Sequence, residues 1–138
     1  MPNIEMILSE GVDATGKTQL LSRATEATVA ALGAPLDSVR IWISEIPAGN
    51  FAVGGLTCGG NQRPVERSGV MFVAFLIAGR TDVQKAHLID ALTDVATGVL
   101  GIERETIRVI VNDIPNTDFG IGGVTAASLG RGIGRSNR

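Results

Sequence analysis

The stretches Ile4–Lys17, IEMILSEGVDATGK, and Phe72–Lys85, FVAFLIAGRTDVQK, decide how this chain folds. Each runs from an apolar segment through a glycine into a polar helix start, and the interval from Gly11 to Gly79 is 68 residues. At that interval, with no gap, Leu20 falls on Leu88, Thr25 on Thr93, Leu32-Gly33 on Leu100-Gly101 and Arg40 on Arg108. Ile46-Pro47 falls on Ile114-Pro115, Phe51 on Phe119, Gly54-Gly55 on Gly122-Gly123 and Thr57 on Thr125. Glycines, prolines and periodic leucines that coincide at one interval mark an internal duplication.

Each copy reads strand, helix, strand, hairpin. Ile4, Met6 and Leu8 alternate with Glu5 and Ser9, the period of a half-buried strand, with Ile7 the apolar exception. The matching Met71–Ile77 is apolar throughout, which predicts a strand buried on both faces. Asp13 or Thr15, and Thr81 in the second copy, are candidate helix N-caps. Leu88, Leu92, Val95, Ala96, Val99 and Leu100 form a helical apolar stripe; Leu20, Leu21, Ala24, Ala27, Ala31 and Leu32 form a weaker one. Gly33 and Gly101 stand where a left-handed C-terminal cap is expected. Second strands are predicted at Val39–Ser44 and Ile107–Asn112, each followed by an Ile-Pro, a polar turn, a Phe and a Gly-Gly pair that read as a hairpin. A helix supplies the crossover that parallel strands need. The expected architecture is α/β: two tandem β-α-β units forming a four-stranded sheet with both helices on one face. The bare opposite face invites oligomerisation. The units span residues 1–57 and 70–128, with a linker at 58–69 and a mobile basic tail at 129–138.

Composition narrows the function classes. The 138 residues carry 12 Lys plus Arg against 14 Asp plus Glu, a net charge of −2, with 44% hydrophobic and 19% charged residues, so a disordered polar chain is excluded. One cysteine, Cys58, allows no internal disulfide, and with a single histidine, His87, no metal site is expected. The longest apolar run, Val70–Ala78, is far short of the roughly 20 residues of a membrane span. No signal peptide is read at the start. The expectation is a soluble, cytoplasmic protein that binds neither membrane nor nucleic acid.

A β-α-β unit that begins Met1-Pro2, carries a Val39-Arg40 strand and ends in Phe119-Gly120-Ile121-Gly122-Gly123 closely resembles the tautomerase superfamily, nearest to its 4-oxalocrotonate tautomerase branch. Ile77-Ala78-Gly79-Arg80-Thr81-Asp82-Val83-Gln84-Lys85 resembles that family's strand-to-helix turn. The resemblance runs from Pro2 to about Thr57 and from Val70 to about Ser128. It implies a fused, tandem form assembled as a homotrimer, loss of the initiator methionine, and Pro2 as general base and acid with no cofactor. A neutral secondary amine can take a proton from an enol or acidic carbon and return it elsewhere on the skeleton. The contrasting reading is that Pro2 merely opens a strand.

The family's arginines carry over unevenly. The arginine after the first strand matches Arg80, whereas its place in the first unit holds Val12; the proline is kept as Pro2, whereas its place in the second unit holds Val70. The fusion is therefore expected to pair Pro2 with Arg80 in one live site and to leave the Val70/Val12 site dead. The second family arginine occurs twice, as Arg40 and Arg108; the resemblance implies that it holds a substrate carboxylate while stabilising the developing dienolate, a task that suits a bidentate, permanently charged group. Either copy can serve Pro2; Arg108 is preferred. Phe119 matches the apolar wall beside the proline, and Phe51 is its repeat partner. The implied reaction is keto–enol or dienol–enone transfer on a small 2-oxo or 2-hydroxy carboxylic or dicarboxylic acid such as 2-hydroxymuconate.

Pro47-Ala48-Gly49-Asn50 and the following glycine pairs also resemble the cis-3-chloroacrylic acid dehalogenase group. That chemistry uses a further arginine three residues before the Arg80 position, a tyrosine and a carboxylate. Here Ile77 holds the arginine position and the chain has no Tyr, so hydration, dehalogenation or decarboxylation ranks second. A catalytically dead trimeric binding module, or an interaction protein acting through its arginine tail, is the non-enzymatic rival. Trp42 is expected in the sheet or an interface, His87 on the exposed side of its helix, and Cys58 as an inert residue of a glycine-rich turn.

Overall fold

The computed structural model of the chain describes residues 2–57 and 69–132. Met1, Cys58, the linker expected at 58–69 except for Gly69, and the tail beyond Gly132 lie outside the described residues. The order of elements is β1 (Asn3–Ser9), α1 (Ala14–Leu32), β2 (Arg40–Ile46), β3 (Ala52–Val53), β4 (Leu56–Thr57), β5 (Val70–Ile77), α2 (Asp82–Leu100), β6 (Ile107–Ile114), β7 (Gly120–Ile121) and β8 (Val124–Thr125).

The helices begin where their caps dictate. The Asp13 carboxylate accepts the Gly16 N–H at 2.7 Å, so Asp13 and not Thr15 is the N-cap of α1. Thr81 Oγ1 accepts the Gln84 N–H at 3.1 Å while Gln84 Oε1 accepts the Thr81 N–H at 3.0 Å, a reciprocal capping box that satisfies two donors otherwise left open at the head of α2. Both helices close on glycines in the left-handed region, Gly33 and Gly101. Short helical turns at Leu36–Ser38 and Arg104–Thr106 lead into β2 and β6, again at repeat-equivalent places. The strands run on to Ile46 and Ile114, two residues beyond the expected ends. The hairpins turn at Gly54-Gly55 and Gly122-Gly123, where positive φ at both positions (60° and 82°, 61° and 87°) demands glycine.

The main sheet has the order β2-β1-β5-β6. Within each unit the pairing is parallel, as a helical crossover requires; between units β1 and β5 run antiparallel. In that central ladder Glu5 faces Val73, its own repeat equivalent, so a pseudo-two-fold axis passes through the sheet at this pair.

One face of the sheet is sealed by the helices. Ile4, Met6, Leu8, Phe72, Ala74 and Leu76 are buried against Leu20, Ala24, Leu32, Leu88, Leu92 and Ala96. Thr28 is buried in the same layer and satisfied, its hydroxyl donating to the Ala24 carbonyl at 2.7 Å. The opposite face carries Met71, Val73 and Phe75 half-buried, with Trp42 and Ile110 40% and 45% exposed. Within one protomer β5 therefore alternates from Val70 to Leu76, with Ile77 buried as well, and is not buried on both faces along its length as its composition predicts. The register places Trp42 beside Glu5 and Ile110 beside Val73, so these apolar side chains share one uncovered sheet face. His87 is exposed, as expected.

Leu88 is fully buried and its neighbour His87 is not. Leu88→Ala is expected to cost about 2–5 kcal/mol of stability, and His87→Ala no more than about 0.5 kcal/mol, in denaturant unfolding at one fixed protomer concentration.

Candidate active site

The antiparallel β1–β5 pairing fixes which residues share an end of the sheet. Asn3 pairs with Phe75, so Pro2, one residue earlier, stands by the last residues of β5. The chain leaving β5 passes Ala78 and Gly79 and reaches Arg80 just before α2 begins. Unit 1's proline and unit 2's arginine thus lie at the same end. Val70 pairs with Leu8 at the other end, where β1 leads out through Gly11 to Val12. The two ends are separated by six strand residues, about 20 Å.

Pro2 is less than 2% exposed, and its carbonyl accepts the Arg40 N–H at 3.0 Å. That bond continues the parallel β1–β2 ladder by one step and holds Pro2 at the head of a central strand. Arg80 is half-buried, and its guanidinium donates to the Leu32 carbonyl at the end of α1. The Gln84 amide donates to the same oxygen at 3.5 Å. A helix C-terminus leaves carbonyls unpaired and carries partial negative charge, so a cation is favoured there.

Beside Pro2 opens a cleft of about 590 Å³, lined by Asn3, Asp37, Ser38, Arg40, Phe119, the Gly120–Gly122 turn and Arg131. Phe119 comes from the hairpin of the second unit and Arg40 from the second strand of the first, so the cleft is built from both copies. Arg40 begins β2 level with Asn3, on the uncovered face of the sheet. Arg108, the second residue of β6, is level with Met71 at the opposite end, where it lines a smaller cavity of about 160 Å³ with Phe51, Ile7, Val70 and Thr106. Its guanidinium donates to the Glu105 carbonyl at 2.6 Å. Of the expected site residues, one protomer gathers Pro2, Arg80, Arg40 and Phe119 at one end and Phe51 with Arg108 at the other.

The ends are alike in frame and unlike in chemistry. Lys17–Glu45, at 2.6 Å, and Lys85–Asp113 are equivalent ion pairs that tie each helix to the end of its unit's second strand. The Val70 end has a cleft of about 330 Å³ lined by Val12, Val99, Leu100 and Ile102 together with Glu10 and Asp13, with no arginine among its lining residues. Arg104 lies elsewhere, on the surface, where the hydrogen bonds it donates to Asp94 and then to Asp90 raise its pKa above the ordinary guanidinium value.

Sequence reasoning missed Arg131 as a lining residue of the cleft. Asn116 donates to the Arg131 carbonyl at 2.9 Å, and the Arg131 N–H donates to the Ala126 carbonyl at 2.9 Å. Gly132 is buried at φ 108°, and a Cβ there would lie 2.6 Å from Ile77 Cγ2. The root of the segment expected to be a mobile tail is thereby packed against the end of β5. The repeat could not reveal this, because the residue 68 positions before Gly132 is Pro64, in a stretch unlike it. Among the described residues no group of three or more His, Cys, Asp or Glu could hold a metal ion, and no helix is long and apolar enough to cross a membrane.

The family description "Tautomerase enzyme" matches residues 2–60 and 74–128. The chain belongs to the tautomerase family. It is an isomerase of the fused 4-oxalocrotonate tautomerase kind. A crystal structure of a native fused 4-OT superposes with a TM-score of 0.87 at 45% identity, covering 94% of this chain and all of that one. A second fused 4-OT, described as an asymmetric trimer, gives 0.86 at 45% identity over 94% of this chain and all of that one. A probable tautomerase of Ralstonia nicotianae is 41% identical over 64 residues, which is 46% of this chain and 91% of the relative. A 2-hydroxymuconate tautomerase of Pseudomonas putida is 33% identical over 57 residues, 41% of this chain and 90% of the relative. Relatives that fit almost whole onto less than half of this tautomerase are single units of the kind it carries twice. A member of the cis-3-chloroacrylic acid dehalogenase family shares the fold, with a TM-score of 0.80 at 22% identity over 99% of this chain and 88% of that one.

Thr81 both caps α2 and directly follows Arg80. Thr81→Ala is expected to lower stability by about 1 kcal/mol in denaturant unfolding, because the first turn of α2 loses its cap.

Proposed function

We propose that this tautomerase catalyses dienol–enone or keto–enol proton transfer on a small 2-oxo or 2-hydroxy carboxylic or dicarboxylic acid such as 2-hydroxymuconate, with Pro2 as general base and acid. The observation that carries the reading is the antiparallel docking of the two units, which puts the proline of one and the arginine of the other at one end of the sheet. The match to a 2-hydroxymuconate tautomerase supports the substrate class.

The chemistry needs a free pyrrolidine nitrogen. While Met1 precedes Pro2 that nitrogen is an amide without useful basicity, so the active form is the chain after methionine removal. The neutral amine takes the proton of the 2-hydroxyl; the electron pair released forms the 2-oxo group and shifts the double bonds, and the protonated amine delivers the proton to carbon. Substrate and product are isomers, and no oxidant or cofactor enters the balance. Burial and neighbouring guanidinium groups disfavour the protonated amine, which keeps the base available near neutral pH. Arg80 binds the distal carboxylate, and Arg40 or Arg108 holds the 2-oxo acid end as negative charge develops there. Phe119, with Phe51 as its counterpart, supplies an apolar wall that strengthens those electrostatic interactions.

The proposed assembly is a homotrimer, a pseudo-hexamer of units. The uncovered sheet face with Trp42, Val73 and Ile110 favours burial against further copies, and the fused 4-OT neighbours include trimers. Arg108 starts at the far end of its own sheet and would reach a Pro2 only across such an interface, whereas Arg40 starts beside the Pro2 of its own chain. The units proposed as domains, 1–57 and 70–128, are accordingly halves of one site-bearing body.

The test is ketonisation of 2-hydroxymuconate by protein whose intact mass proves a free Pro2. Pro2→Ala is expected to lower kcat/KM by about 10²–10⁴-fold, the usual worth of a positioned acid–base group. In the same assay Arg80→Ala is expected to abolish measurable activity while Val12→Ala leaves it within twofold. Activity that survives Arg80→Ala but not Val12→Ala would refute the pairing.

A further inference from the structure

The two ends of the sheet differ most at the positions around Arg80. Its guanidinium and the Gln84 amide both donate to the Leu32 carbonyl at the end of α1. The residues 68 positions earlier are Val12 and Gly16, and the carbonyl equivalent to that of Leu32 belongs to Leu100, at the end of α2. Neither Val12 nor Gly16 has a side-chain donor, and among the described residues no side chain donates to the Leu100 carbonyl. Val12, Gly16 and Leu100 all line the cleft of about 330 Å³ at the Val70 end. An opening thus stands where the other copy places a guanidinium.

The charge is reversed as well. Ala78 and Thr81 correspond to Glu10 and Asp13, and both of these carboxylates line the cleft whereas no lysine or arginine does. Lys17, the residue after Gly16, is held by Glu45 at 2.6 Å. Each carboxylate accepts one backbone donor, Asp13 the Gly16 N–H at 2.7 Å and Glu10 the Ala48 N–H at 3.4 Å, and a carboxylate has capacity for more. The unpaired carbonyls at the end of α2 add partial negative charge. Val12, Val70, Val99 and Ile102 supply apolar wall. The volume lies at the low end of the range for small-ligand pockets, which suits a compact molecule.

We propose that the cleft at the Val70 end binds a small organic cation, an alkylguanidinium or alkylammonium. Its head group donates to the Leu100 carbonyl, as Arg80 does to that of Leu32 in the other copy, and faces the Glu10 and Asp13 carboxylates. Its short stem packs against the valines. The same charges repel carboxylates of the kind proposed as substrate. No bond is made or broken at this end, so the inference does not depend on the proposed reaction.

The experiment is an amide-resolved NMR titration of the full chain with n-propylguanidinium, which reproduces an arginine side chain, and with N-propylurea, its neutral near-isostere, at constant ionic strength. The expected result is saturable shifts at Gly16, Gly101 and Ile102, with propylguanidinium bound about 10–100-fold more tightly than the urea, the usual gain of charge-assisted hydrogen bonds. Val12→Arg, which supplies an internal guanidinium at the position equivalent to Arg80, is expected to weaken propylguanidinium binding at least about tenfold. Glu10→Gln, which keeps an acceptor and loses the charge, is expected to weaken it about three- to tenfold and to leave the urea within about twofold. Should Val12→Arg fail to fold, Glu10→Gln decides alone. Shifts that do not saturate, equal affinity for the two probes, or unchanged binding in either folded variant would overturn the inference.

Discussion

Everything at the site depends on the antiparallel ladder between β1 and β5. Two equivalent β-α-β units could abut through their first strands in either sense, and only the antiparallel sense exchanges their ends. With Glu5 opposite its equivalent Val73, the start of each unit's first strand meets the finish of the other's. A residue at the head of one copy then completes its surroundings with residues that follow the first strand and the hairpin of the other. In a parallel arrangement, Pro2 would lie beside Val70, and Arg80 beside Val12, at opposite ends of the sheet.

The same ladder gives the duplication its latitude to diverge. A pseudo-two-fold makes two equivalent ends, and side chains can change at either while the shared packing is kept. Lys17–Glu45 and Lys85–Asp113 are kept in both copies because each ties a helix to its own sheet edge. Such exposed pairs are worth little individually, so their recurrence reflects a common frame more than a shared stability requirement. Where the frame leaves freedom the copies part: Val12 and Val70 line a cleft at one end, and their equivalents Arg80 and Pro2 stand at the other.

The elements that could be read from the sequence are those governed by local chemistry. The helices were legible because Asp13 and Thr81 are side-chain acceptors before a periodic apolar stripe and Gly33 and Gly101 follow it. The hairpins were legible because paired glycines tolerate positive φ at both turn positions. The two sheet faces were less so: Met71, Val73 and Phe75 gave β5 a uniformly apolar composition, yet in one protomer these three stay half-buried while Phe72, Ala74 and Leu76 are sealed. Composition reports the burial a strand has in its final assembly and not which surface covers it. The sense of docking between units had no signal in either copy alone, since it is a property of the pair; the pairing of Pro2 with Arg80 was reachable only through family resemblance.

Arg131 marks the other limit. Its place is set by contacts with Asn116, Ala126 and Ile77, each distant in sequence or conformationally specific, and by a glycine whose missing side chain is the fitting feature. Read as composition, Gly130-Arg131-Gly132 is indistinguishable from a solvated tail. The repeat offers no help, because the first unit runs there into a stretch of different character. Net charge is equally uninformative: a chain of net −2 still lines one cleft with two guanidinium groups against the single carboxylate of Asp37. Local field at a cleft follows the few charges that line it and the low-dielectric walls between them. A ligand arriving at this cleft meets Arg40, Arg131 and the Phe119 ring before it meets the protein's overall negative charge.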